Sequence, residues 1–422
     1  MKIAMLVSGG VDSSVALRLL KEAGHDITAF YLKIWLEDEM SFLGECPWED
    51  DLSYIGKICR EADIPLEVVP FQKEYRERIV SYTIDEVKAG RTPNPDVLCN
   101  TRVKFGAFYE YLLNRADGAS FDKIASGHYA QVECLCEGTE AIPNELQSLR
   151  GSEATAAIPN DKSETAAPRS QRQCQFYLKR SPDATKDQTY FLSQLTQDQV
   201  SRALFPIGHL KKPEVRKLAE KFALPNANRA DSQGLCFLGK IRFDEFVKFH
   251  LGVRKGDMID YETGKKMGEH DGFWYYTTGQ RKGIKLSGGP WYVVKKDVEK
   301  NIVYISNSYR SEQTARNTFE VSGLSWTIDE MSLRAERSNP SIGISRGIAT
   351  VATLPRKDLR VKVRHGALTY PCSIVWIDDG RLSVTIDGFD TGIAEGQFAV
   401  FYDGEYCLGG GAITSGHSRG NL

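Results

Sequence analysis

The chain is poor in the features that would assign it quickly. It has 422 residues and nine cysteines, yet no C-x-x-C pair and no Cys/His cluster at zinc-ligand spacing, so a zinc ribbon and a secreted disulfide scaffold are both excluded as readings. Cys134 and Cys136 form a lone C-x-C that reads as an ordinary strand pair. An odd, scattered set of thiols suits a reducing compartment. Net charge is also missing: 54 basic residues face 56 acidic ones, a formal charge of −2, so any nucleic-acid site has to be a local basic patch. No uninterrupted apolar run is long enough to span a membrane, and no signal peptide precedes the first strand. The expectation is a cytoplasmic protein with no membrane partner. The alternative is a mitochondrial or plastid protein whose transit peptide has been removed.

What is present begins at the first residues. The apolar run Ile3-Ala4-Met5-Leu6-Val7 reads as a buried parallel strand, and Ser8-Gly9-Gly10-Val11-Asp12-Ser13-Ser14 follows it directly. An amphipathic helix comes next and stops at Gly24. Strand, glycine turn and helix start together form an anion site, because unpaired backbone N–H groups and the helix dipole both point at the turn. The lysine of a Walker loop is absent from this turn, so γ-phosphate transfer is not the natural chemistry. The pattern S-G-G-x-D-S-S instead resembles the pyrophosphatase loop of adenylating enzymes, in which a nucleophile attacks the α-phosphate of ATP.

Up to about residue 130 strands and helices alternate: strands at 2–7, 27–35, 66–71 and 123–128, helices at 13–23, 51–62, 73–89 and 103–115. The fold class expected is α/β, a doubly wound parallel sheet, with ligands at the carboxyl ends of its strands. Glu137 to Gln173 is rich in Ala, Glu, Ser, Thr, Pro and Asn and has no aromatics, which reads as a disordered insertion. After Leu238 short alternating runs at 273–277, 291–295, 302–306, 359–364, 373–377, 382–387 and 397–402 predict an all-β half with a small barrel. Turns such as Asp379-Gly380 and Asp403-Gly404 separate several of these runs.

Three further segments carry candidate chemistry. In Arg91-Thr92-Pro93-Asn94-Pro95-Asp96-Val97-Leu98-Cys99-Asn100 two prolines stiffen a loop before a helix, and Asp96 and Cys99 share one face of the next turn. A thiol there is activated by the helix start, and the carboxylate can move a proton or oppose the thiolate. A buried structural cysteine is the plain alternative. In Asp231-Ser232-Gln233-Gly234-Leu235-Cys236-Phe237 a glycine-containing turn delivers a second thiol. Lys186-Asp187-Gln188 opens an aromatic helix and reads either as a capped surface start or as a phosphate and base contact. His209, Lys211, Lys212, Arg216, Lys217 and Lys221 form a basic run, and Arg360, Lys362 and Arg364 alternate with aliphatics on one strand. Both read as solvated faces that could track a phosphate backbone.

Taken together, these motifs resemble the MnmA/TrmU family of tRNA-specific 2-thiouridylases. The resemblance also rests on Gly127-His128-Tyr129-Ala130, Thr278-Gly279-Gln280-Arg281-Lys282-Gly283, Pro290-Trp291-Tyr292-Val293-Val294 and Cys407-Leu408-Gly409-Gly410-Gly411. It implies an adenine nucleotide α-hydrolase-like PP-loop ATP-pyrophosphatase domain at 1–240, a central β domain at 241–307 and a C-terminal β-barrel at 308–422 that contacts tRNA. It implies ATP with Mg²⁺, activating C2 of the wobble uridine as an adenylate. Leu6, Val7, Ser8, Gly9, Gly10, Val11, Asp12 and Ser13 would cradle the triphosphate, with Leu32 and Gly127 at the adenine. Asn94, Pro95 and Asp96 would meet a flipped base, Asp96 also serving as acid or base. Cys236 would carry persulfide sulfur from a donor protein. Cys99 would either free sulfide or resolve a disulfide with Cys236. His128, Lys186, Asp187, Gln188, Arg364, His365 and Gln397 match positions that touch tRNA. Two departures stand out: the insertion, and Gly366-Ala367 after Arg364-His365. A third cysteine for an iron–sulfur cluster is not evident beside Cys99 and Cys236. Two other classes fit the loop: an AMP-forming ligase acting on another acceptor, which leaves both thiols without a role, and a non-catalytic RNA-binding protein with a decayed nucleotide site.

Overall fold

A computed structural model describes residues 1–34, 48–136, 174–231, 242–308, 316–327 and 359–417. The segment 137–173 and Cys236 lie outside the described residues.

The amino-terminal sheet contains β1 (Lys2–Val7), β2 (Asp26–Lys33), β3 (Leu66–Pro70), β4 (Lys123–Ala125) and, further along the chain, β7 (Ala203–Leu204). Its order is β3-β2-β1-β4-β7, with every pairing parallel. Alternation along β1 explains why both faces are covered. Ile3, Met5 and Val7 enter one core with Val15, Leu17, Ile55 and Val215. Ala4 and Leu6 enter the other with Tyr75, Ile79, Val97 and Phe108. A strand buried on both sides has to be apolar throughout, as β1 is. The chain order reverses between β1 and β4, and ligands bind open α/β sheets at such a switch point.

The helix Val11–Glu22 starts two residues earlier than periodicity predicts and ends as expected, with Gly24 at φ +74°. The second departure is larger. The helix expected at 103–115 begins at Pro95 and runs continuously to Leu113, its middle turns, Asn100–Ala107, wound as a π-helix. Pro95 is tolerated because it occupies a first-turn position, where its missing N–H has no partner to lose.

β5 (Ala130–Cys136) and β6 (Cys174–Arg180) form an antiparallel hairpin, so 137–173 connects its two strands. The central domain is a mixed sheet of β8 (Gly256–Asp260), β9 (Lys266–His270), β10 (Tyr292–Asp297) and β11 (Ile302–Ser306), in the order β10-β11-β8-β9. The strand expected at 273–277 is absent. Phe273–Tyr275 is a 3₁₀ turn, with the Phe273 amide on Asn301 Oδ1 and the Tyr276 amide on the Phe273 carbonyl. These amides are satisfied without a strand partner, and the aromatic run packs without pairing.

The carboxy-terminal barrel is built from β12 (Arg316–Trp326), β13 (Leu359–Lys362), β14 (Tyr370–Asp378), β15 (Arg381–Asp390), β16 (Phe398–Asp403) and β17 (Tyr406–His417). Antiparallel pairing runs β12-β15-β14-β13-β16-β17 and closes from β17 back to β12. Closure removes both sheet edges. β6 pairs with β17 and lashes the hairpin of the amino-terminal half to the barrel.

The solvated face expected for Arg360, Lys362 and Arg364 is corrected. Lys362 is fully buried, its Nζ 3.1 Å from Asp187 Oδ2, and Asp187 is equally buried. Arg360 is turned onto Thr369. The Lys362–Asp187 pair joins the barrel to the helix that follows Asp187, and Arg180 Nε supports the same carboxylate at 3.2 Å. A lysine that meets a buried carboxylate is held inside, because moving either charge alone to an apolar site costs several kcal/mol.

Candidate active site

The turn after β1 is shaped by close backbone approaches. Gly9 sits at φ +70°, and a Cβ there would lie 2.7 Å from Asp51 Cα. A Cβ on Gly127 would lie 2.6 Å from the Ser13 amide nitrogen. Only glycine lets the strand-end loop of β4 rest on the helix start. The Ser8 and Ser13 hydroxyls are 3.3 Å apart, and Ser13 Oγ also donates to the Gly10 carbonyl. Leu32 lies one residue beyond Tyr31, the register partner of Val7, at the carboxyl end of β2. Residues 6–13, Leu32 and Gly127 therefore share one end of the sheet.

A charged cluster flanks the turn. Asp12 accepts hydrogen bonds from Lys212 Nζ at 2.7 and 2.9 Å and from the Tyr129 hydroxyl at 2.7 Å. Burial, then the Asp12 carboxylate, holds the Tyr129 phenol far above its ordinary range. Lys212 also reaches Asp231 at 2.8 Å, where Lys186 and Arg216 meet the same carboxylate at 2.6 and 2.7 Å. Burial works to raise Asp231, but the Lys186 and Lys212 hydrogen bonds prevail and hold it down to about 2. Arg229 bonds the Gly9 carbonyl at 3.0 Å and Asp51 at 2.6 Å, and Asn226 Nδ2 donates to the same carbonyl at 2.8 Å. Lys212 and Arg216 were legible only as members of a basic run. Their inward turn comes from the packing of the helix Lys212–Lys221 against Val11–Glu22. Asn226 and Arg229 carried no sequence signal.

A second constellation lies across the domain junction. Gln397, next to the barrel wall, donates through Nε2 to the Thr92 and Pro93 carbonyls at 3.1 and 3.2 Å. Its Oε1 accepts from Asn94 Nδ2 at 3.3 Å, and the Thr92 amide donates to the Glu395 carbonyl at 2.8 Å. Asn94 also faces the Tyr190 hydroxyl at 3.5 Å, and that hydroxyl donates to the Phe398 carbonyl at 3.1 Å. His365 stacks on Phe191 with ring centroids 4.6 Å apart. Burial, with Lys362 adding to it, keeps the His365 imidazole below its usual value, while Asp187 and, more weakly, Asp96 pull the other way. Cys99 is buried three residues beyond Asp96 on the same helix. Asn100 Nδ2 donates to the Phe191 carbonyl at 3.0 Å and ties that helix to the aromatic one.

The two constellations touch. Gln188 Oε1 accepts from the Tyr129 amide at 2.9 Å, and the Gln188 amide donates to the Tyr129 carbonyl at 3.0 Å. Hydrogen bonds thus run from Asp12 through Tyr129 to Gln188, the residue after Asp187, whose backbone bonds His365. His128 bonds Ser126 Oγ through Nδ1 at 2.8 Å, and burial and then Lys104 hold it well below its ordinary pKa. Of the positions expected to touch tRNA, Asp187 is engaged inside the fold, Lys186 is held by Asp231, and Arg364 lies at the barrel rim against Asp390 at 2.9 Å. Among the described residues no group of three His, Cys, Asp or Glu side chains could hold a metal ion.

Comparison with known proteins is decisive at this point. Residues 1–240 match the family model described as the tRNA methyl transferase HUP domain. Residues 244–307 match its PRC-barrel domain, and 348–413 match an aminomethyltransferase β-barrel domain. A protein of Parabacteroides distasonis named tRNA-specific 2-thiouridylase MnmA is 40% identical over 98% of this chain and 99% of its own length. The chain belongs to the tRNA-specific 2-thiouridylase family. A like-named protein of Porphyromonas gingivalis is 39% identical over 99% of this chain and all of its own. One of Lacticaseibacillus paracasei is 37% identical over all of this chain and 96% of its own. Family membership gives the two constellations a common context: a HUP domain carries the glycine turn, and the barrel carries Gln397 and His365.

Proposed function

We propose that this chain is a tRNA-uridine 2-sulfurtransferase that replaces O2 of the wobble uridine by sulfur, with ATP consumed to AMP and pyrophosphate. The observation that carries this reading is the Gln397 clamp. It fixes the Asn94-Pro95-Asp96 loop and the Cys99 helix against the barrel, while Tyr129 bonds both Gln188 and Asp12 of the helix that follows the glycine turn. A glycine turn of the adenylating kind, a buried thiol beside Asp96, and the rings of Tyr190, Phe191 and His365 near Asn94 suit activation and substitution on a flipped base. Oxygen at C2 leaves poorly, and as part of AMP it leaves well.

The residues fit ATP: the loop amides and the Ser8 and Ser13 hydroxyls for the phosphates, Leu32 and Gly127 for the adenine, and Asp12 for a Mg²⁺ that arrives with the triphosphate. Mg²⁺ would there screen the phosphate charge. Asn94, Pro95 and Asp96 hold the base, and Asp96 moves the proton. Cys236 carries persulfide sulfur from a donor protein, and Cys99 is the second thiol. His128, Lys186, Gln188, Arg364, His365 and Gln397 line or support the tRNA path. Asp187 acts there through its buried pairing with Lys362. The three domains follow 1–240, 241–307 and 308–422. No described helix is long and apolar enough to cross a membrane. A reaction on tRNA belongs where tRNA is, the cytoplasm in bacteria such as those of the relatives.

The test is single turnover with ATP, a persulfide donor and unmodified tRNA, read by mass spectrometry of the digested tRNA. The expected product is 2-thiouridine, lost in both Cys99→Ser and Cys236→Ser. A methylated uridine, the product the family model's description would call for, is distinguished by mass. ATP cleavage with no change in the uridine would overturn the acceptor and leave an AMP-forming ligase.

A further inference from the structure

The glycine turn has no lysine of its own, yet a triphosphate brings several negative charges to it. Backbone amides and a helix dipole contribute only partial charges. A full positive charge comes from a distant part of the chain. Lys212 is the first residue of the helix Lys212–Lys221, where its own amide donates to Asp183 Oδ2 at 3.0 Å and Pro213 follows. Its Nζ lies 2.7 and 2.9 Å from the two Asp12 oxygens, beside the helix start that the turn feeds.

The other cations nearby are committed elsewhere. Arg229 is held by Asp51 and the Gly9 carbonyl, Lys186 by Asp231, and Arg216 by Asp231 and the Ala227 and Arg229 carbonyls. Lys212 differs because it reaches Asp12 on the helix start that the turn feeds, and both its carboxylate partners have other support. Asp231 keeps Lys186 and Arg216 when Lys212 turns away, and Asp12 keeps the Tyr129 hydroxyl. Moving Lys212 Nζ by the length of one hydrogen bond strands neither acid.

We propose that Lys212 is the phosphate-binding cation of the nucleotide site, contributing from the far helix the charge that a Walker loop carries within itself. It contacts the β- and γ-phosphates, and its resting contact with Asp12 keeps that acid in place until nucleotide arrives. The proposal rests on the reading of the turn as an ATP site.

The experiment is calorimetry on the full chain without tRNA, using ATP, inorganic pyrophosphate and AMP as probes. Lys212→Gln is expected to weaken ATP and pyrophosphate by roughly tenfold to a hundredfold, the scale of one charge-assisted contact, and to leave AMP nearly unchanged. Lys212→Arg is expected to recover most of that loss. Equal weakening of ATP and AMP, or no weakening, overturns the proposal. A wild-type chain that binds none of the three probes overturns the ATP reading itself, a different failure. Wild-type protein offers a check that needs no variant: reductive methylation of lysines read by peptide mass spectrometry. ATP and pyrophosphate should protect Lys212 while AMP does not, and equal labelling with all three overturns the assignment.

Discussion

The glycine turn and the junction around Asn94 are built in opposite ways. The first is nearly a single stretch of chain: Leu6 to Ser13, closed by Gly127, with long-range help from Lys212, Asn226 and Arg229. The second has no contiguous core. Asn94, Tyr190, His365 and Gln397 come from four segments and two domains, held together by hydrogen bonds of Asn94 and a ring contact of His365 with Tyr190. A local site depends on backbone fit, whereas an assembled one depends on the docking of domains.

That contrast can be broken at its strongest joint. Lys362→Met leaves Asp187 buried with Arg180 as its remaining cationic partner, and loss of one member of a buried pair costs about 3–5 kcal/mol. Melting temperature should fall steeply, and near the transition thiolation should be lost before ATP affinity. Simultaneous loss would mean that the two ends are one cooperative unit. Gly127→Ala attacks the other end. Its Cβ meets backbone at 2.6 Å, so the loop has to shift. A displacement on the order of 1 Å costs about a hundredfold in rate, and single-turnover ATP cleavage should show it while tRNA affinity holds.

Gln397→Ala removes three hydrogen bonds of the clamp. The expected effect is a drop of about tenfold in thiolation at saturating ATP, with ATP affinity unchanged. A parallel loss of ATP binding would refute the separation of the two sites. The smallest effect concerns acid. Asp231 is held down to about 2, below its ordinary 3.8. Its contribution is complete above pH 3.8 and is lost as pH falls through 2. Asp231→Asn should flatten the stability profile in that window by at most about 2 kcal/mol, measured by urea unfolding at several acidic pH values.

The local end was legible in the residues, and the assembled end only in part. The apolar strand β1, the glycine turn and the Gly24 stop appear as expected, because each follows from local sequence and sterics. The motif 91–100 was visible as a stiff loop leading into a helical turn, but the continuity of that turn with the helix expected at 103–115, through the wide turns at Asn100–Ala107, was not. The barrel strands were readable one by one. Their closure through β12 and β17 was not, because pairing between distant strands leaves no periodic mark. Charge misled most: Lys362 and Lys212 look like solvated cations, and both turn inward to carboxylates more than 170 positions away.

By itself the sequence determined the sheet of the amino-terminal half, the glycine turn after β1 and the motifs that mark the family. These depend on spacing within a few residues, where backbone geometry leaves few choices. Tertiary structure alone decided which lysine faces Asp12, which one is sealed against Asp187, and that Gln397 holds Asn94. A charged side chain goes wherever its countercharge lies, and only the packed fold says where that is.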